Sequence, residues 1–92
     1  MDTILNIPIR IIKEQELVIG PLAWYEASKV AGLTIDPSHN SVSISGDKKD
    51  IVNRLVAQYE RIFGKASHEV CREAVADIVA HMPTEEVPSS LQ

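Results

Sequence analysis

The most constraining stretch of this chain is Ser41 to Met82, which the pattern of residues reads as a short strand running directly into a helical hairpin. Val42 and Ile44 alternate with Ser41, Ser43 and Ser45, the period-two signature of a strand with one face in water. Gly46 then allows a sharp change of direction. Asp47 stands where a helix N-cap belongs, with Asp50 three residues on as a shorter-armed version of the capping box. Beyond it Ile51, Val52, Leu55, Val56, Tyr59, Ile62 and Phe63 fall within an arc of roughly 140° at the helical period, while Lys48, Asn53, Arg54, Gln58, Glu60 and Arg61 take the other side. Gly64 closes that helix. A second helix is expected from Ala66 or Ser67 to about Met82, with Cys71, Ala74, Val75, Ile78, Val79 and Met82 as its apolar stripe and Pro83 at its end. The short link between the two implies an antiparallel pair.

Upstream, Leu33 to Asp36 makes a second strand, joined to the first by the turn-forming run Pro37-Ser38-His39-Asn40, so a β-hairpin is expected. Before it, Gly20-Pro21 opens a helix whose apolar arc is Ala23, Trp24, Ala27, Val30 and Ala31, ended by Gly32. The first twelve residues favour a strand, because Ile7, Ile9 and Ile11 alternate and isoleucine is β-branched. Pro8 would place that strand at a sheet edge. Leu17 to Ile19 could pair back on it, and the competing reading is one helix from Arg10 to Ile19. The expected fold is therefore α+β: a small antiparallel sheet of two to four short strands against about three helices, one domain over residues 1–83. Residues 84–92, with two prolines, two glutamates and two serines, read as a flexible tail or the start of a linker.

At 92 residues the chain can bury roughly two thirds of the surface its unfolded form exposes, leaving little margin, so a partner would stabilise it. No apolar run approaches the roughly 18 residues of a membrane-spanning helix, and no secretory pattern opens the chain. The lone Cys71 agrees with a reducing compartment, and a cytoplasmic location is expected. A net charge of −4 opposes long-range attraction to nucleic acid, and four aromatic residues give little material for stacking on bases.

Candidate chemistry resolves mostly into structure. His68 and Cys71 have the i, i+3 spacing of two metal ligands, but zinc needs three or four, and Cys71 lies in the middle of an apolar stripe. That setting also raises a thiol pKa, which excludes an activated nucleophile. Glu69, Glu73 and Asp77 recur every four residues as a solvated helix face, and neither Gly20-Pro21 nor Gly46-Asp47 is a phosphate-binding loop. No catalytic residue, cofactor or metal is expected. The functional expectation is a non-enzymatic protein-interaction or assembly domain, a homodimer or one module of a complex. Its surface would be the close-approach face of Ala23, Trp24, Ala27 and Ala31. The alternatives are a small-molecule sensor with Trp24 and Tyr25 at its cleft and, less favoured, a nucleic-acid binder using a basic stripe of Arg54, Arg61 and Lys65.

Overall fold

The computed structural model describes Ile4 and residues 6–92. It is a small α+β domain, in which helix α1 (Asn6–Ile19) and the short α2 (Leu22–Ala27) precede an antiparallel hairpin, β1 (Leu33–Asp36) and β2 (Ser41–Ile44). Helices α3 (Lys48–Phe63) and α4 (Lys65–Ala74) follow, then the single turn α5 (Ala76–Val79) and two 3₁₀ turns, Thr84–Glu86 and Ser89–Leu91. In the hairpin Leu33 pairs with Ile44 and Asp36 with Ser41, and among the described residues the expected two to four strands are two. The Pro37–His39 turn ends at Asn40, held in the left-handed region at φ 49°, where asparagine is among the better-tolerated residues.

Helix α3 forms as its sequence dictates. The backbone N–H of Asp50 donates to Asp47 Oδ1 at 3.2 Å, and Ile51, Val52, Leu55, Val56 and Tyr59 are buried, while at the last turn of the expected stripe Phe63 is half-buried and Ile62 is exposed. Gly64, at φ +89°, reverses the chain so that α4 packs against α3. The second hairpin helix is shorter than its periodicity suggests. It breaks at Val75, which is fully buried, and Ile78 and Val79 beyond the break are only half-buried.

The N-terminal strand reading is corrected. Met1 to Thr3 and Leu5 lie outside the described residues, but from Asn6 to Ile19 the chain is helical, and Leu17 to Ile19 is its last turn rather than a second strand. The buried positions, Ile7, Pro8, Ile11, Ile12 and Gln15, are spaced 1, 3, 1, 3, which is a helical face. Pro8 sits in the first turn, where a backbone N–H has no helical acceptor in any case. Helix α1 packs on α2 and α4 and reaches α3, so the isoleucine-rich segment supplies the centre of the core instead of a sheet edge.

Residues 84–92 also differ from the tail expected of them. Val87, Pro88 and Leu91 are buried, and the last 3₁₀ turn lies against both α3 and α4. Val87, Pro88 and Leu91 are the apolar side chains by which this otherwise polar segment lies on the helical pair.

Candidate interaction surface

Helix α1 buries one side and leaves the other in solvent. Leu17 is 81% exposed and Val18 64%, and in α2, which packs on α1, Tyr25 is 58% and Leu22 49% exposed. The two helices are fixed to each other by Trp24, whose indole N–H donates to Glu16 Oε2 at 2.9 Å across the Gly20-Pro21 turn. That bond turns the bulky face of α2 inward and leaves Leu22 and Tyr25 outward. The Lys29 ammonium lies 4.5 Å from the centre of the Tyr25 ring, a cation–π contact at the margin of the apolar side chains. Lys13 and Glu14, both exposed, precede Leu17 and Val18 by one helical turn and so border the same face with opposite charges.

The close-approach face expected of Ala23, Trp24, Ala27 and Ala31 is not a surface. Ala23 and Ala27 are fully buried and Trp24 nearly so, while Ala31 alone is exposed. Small residues there let α3 come close within the same chain: the Tyr59 hydroxyl donates to the Ala23 carbonyl at 2.6 Å. The periodicity identified a packed face, but its partner is intramolecular.

Of the basic residues, Arg54 and Arg61 line a surface groove of about 340 Å³ floored by Val30, Ala31 and Ala57. Lys29, brought in from the segment after α2, replaces Lys65, which does not line the groove. Two of these cations are engaged. Arg54 pairs with Asp50 at 2.9 Å and Lys29 with Glu26 at 3.5 Å, and Arg61 donates to the uncharged Gln58 amide at 2.8 Å. The positive potential available to a polyanion is correspondingly reduced.

Two clusters resemble chemistry without its geometry. In the hairpin turn, His39 Nδ1 meets Asp36 Oδ2 at 2.6 Å and Ser38 Oγ at 3.3 Å, while the Ser38 hydroxyl donates to Asp36 Oδ1 at 2.8 Å. A nucleophile–base–acid relay needs serine and aspartate at opposite ring nitrogens, and here both crowd Nδ1. The bonds from Ser38 and then His39 hold the Asp36 carboxyl below its ordinary pKa, as expected of a turn fixed by its carboxylate. In the core, Gln15 Nε2 donates to the Ser67 carbonyl at 3.0 Å and to Cys71 Sγ at 3.3 Å, and burial pushes the Cys71 thiol up to about 11. Burial likewise raises the Tyr59 hydroxyl. His68 faces Glu60 and Ser90, so it and Cys71 have different partners despite their spacing. Among the described residues, no group of three or more His, Cys, Asp or Glu side chains is placed to hold a metal, and no helix is long and apolar enough to cross a membrane.

Comparisons with protein-family models, curated proteins and solved structures find no match. Sequence reasoning missed Leu17 and Val18 as surface residues because it placed them in a strand. It missed Gln15 because that residue lies in the polar run Lys13 to Glu16, which offers no apolar stripe to place it on.

Proposed function

We propose that this domain is a non-enzymatic assembly module that self-associates through the outer face of α1 and α2. The observation that supports the reading is the exposure of Leu17, Val18, Leu22 and Tyr25 on two helices locked together by Trp24 and Glu16. Single exposed apolar residues are ordinary, and it is the occurrence of four large ones on two helices packed together that favours an interface. A second copy is the favoured occupant because the patch carries both signs of charge at its edge. In a two-fold pairing, Lys13 of one copy can meet Glu14 of the other. Burying the exposed parts of these four side chains supplies the favourable term, at about 25 cal/mol per Å² of apolar surface removed from water.

Light scattering during size exclusion at two concentrations tests this. The native chain is expected as a concentration-dependent dimer. The double variant Leu17→Ser, Tyr25→Ser should elute as a monomer with an unchanged far-UV circular dichroism spectrum, since neither side chain contributes to the core. A native chain that stays monomeric at every concentration would refute self-association.

A further inference from the structure

Residues 84–92 lie across the α3–α4 pair, and the way they are held depends on one titratable ring. His68, in α4, directs Nδ1 to Glu60 Oε2 at 2.9 Å and Nε2 to the Ser90 carbonyl at 2.6 Å. Both partners are acceptors, and a carbonyl can never donate. Only the doubly protonated imidazolium satisfies both contacts, because a neutral ring carries a single N–H and must set a lone pair against one of the two oxygens. The strap side of the contact is a single residue gripped from two directions: Asn53 Oδ1 accepts from the Ser90 backbone N–H at 3.0 Å and from its hydroxyl at 2.6 Å, while His68 binds the Ser90 carbonyl.

We propose that residues 84–92 are a proton-latched strap: the His68 imidazolium clamps Ser90 onto the α3–α4 pair, and loss of its proton loosens the strap and uncovers the surface that Val87, Pro88 and Leu91 occupy. This is a regulatory device in the fold and does not rest on the self-association proposed above. The groups acting on the ring come from each element around it. The strap contributes the uncharged Ser90 carbonyl, α3 contributes Glu60, and α4 itself contributes Glu69. All three favour the charged ring, the Ser90 carbonyl most and then Glu60, and partial burial opposes them without reversing the sign, so the His68 pKa is raised. The linkage follows directly. A histidine whose pKa is higher when docked than when released contributes its full holding effect below the released value, and loses it as pH rises through the docked value.

The remaining attachments set what release means. Lys49 Nζ donates to the Glu85 carbonyl at 2.7 Å, and Gln92 Nε2 donates to the Val87 carbonyl at 3.0 Å within the strap. The buried Val87, Pro88 and Leu91 add contacts that carry no charge. Deprotonation therefore shifts an equilibrium between docked and released strap and leaves the α1–α4 core folded.

The experiment is a pH series by NMR on the full, isotopically labelled chain between about pH 5.5 and 9, following the His68 ring nitrogens, the Ser90 amide protection factor and a core amide such as Leu55. The expected result is a His68 midpoint above that of an unperturbed histidine, with Ser90 protection falling about tenfold or more through the same midpoint and Leu55 unchanged. Glu60→Gln should lower the midpoint of both the ring and Ser90 together. His68→Phe should make Ser90 protection low and independent of pH, and the Glu60 variant carries the test if the phenylalanine variant folds poorly. Ser90 protection that stays constant while His68 titrates would overturn the latch, as would a His68 midpoint at or below the ordinary value.

Discussion

Gln15 offers the sharpest test of how the core is built, because its two amide atoms have opposite fates. Its Nε2 bonds the Ser67 carbonyl and touches Cys71, while Oε1 is buried with no hydrogen-bond partner among the described residues. Replacing it by methionine keeps the unbranched shape and removes both polar ends. The loss is the Nε2 bond to Ser67, about 0.5–1.5 kcal/mol, with the weaker bond to the Cys71 thiol, whose sulfur is a poor acceptor. The gain is relief of a desolvated carbonyl oxygen, about 1–3 kcal/mol. The balance favours Gln15→Met by about 1 kcal/mol, which for a domain of this size raises Tm by about 4–8 °C. Urea unfolding should show a higher midpoint with an unchanged slope. A methionine variant less stable than the native chain by 1 kcal/mol or more would refute the reasoning, since it would mean that Oε1 is satisfied in solution by a partner such as an internal water.

Two further substitutions separate backbone conformation from crowding. Gly20 and Gly32 both have positive φ, +70° and +86°, but a Cβ at Gly20 meets nothing within 4 Å, whereas at Gly32 it comes within 2.7 Å of the Ser45 carbonyl oxygen and of Ile51 Cδ1. Gly20→Ala should cost about 1 kcal/mol for the left-handed conformation, and Gly32→Ala about 3 kcal/mol once overlap is added; equal losses in thermal unfolding would refute the distinction. Cys71, fully buried and with its thiol pushed up to about 11, should react with an alkylating reagent at neutral pH only at the rate of opening, so labelling followed by mass spectrometry should accelerate in step with urea unfolding. Rapid labelling of the folded chain would contradict this.

The parts of the fold that were legible in the sequence are those whose signals are local. The Asp47 cap, the α3 stripe from Ile51 to Tyr59, the Gly64 reversal and the Pro37–Asn40 turn each lie within a few residues of the structure they specify, and each is where the sequence places it, whereas Ile62, expected on the same stripe, is exposed. Helix α1 was obscured because two patterns share one segment. Ile7, Ile9 and Ile11 alternate as a strand would, while the face that is buried runs through Pro8 and Gln15, the two residues a reader would least assign to a hydrophobic stripe. Tertiary packing on α2 and α4 decides between them, and periodicity over fourteen residues does not contain that information.

For the candidate site the limit is different in kind. The small-residue face of Ala23 and Ala27 was correctly read as one that another element approaches, yet an amphipathic pattern has the same form whether the approaching element belongs to the same chain or to a partner. The Tyr59 bond to Ala23 shows that α3 fills that role. Once it does, the apolar surface that α1 and α2 leave exposed is defined by subtraction: their large outward apolar side chains are Leu17, Val18, Leu22 and Tyr25. The strap follows the same logic. His68 meets Glu60 and Ser90, eight and 22 residues away, and only with all three in place does a polar-looking segment become a docked one whose attachment depends on a proton. Residue types announce that a histidine can titrate; the two acceptors that give its titration a consequence are supplied by the fold.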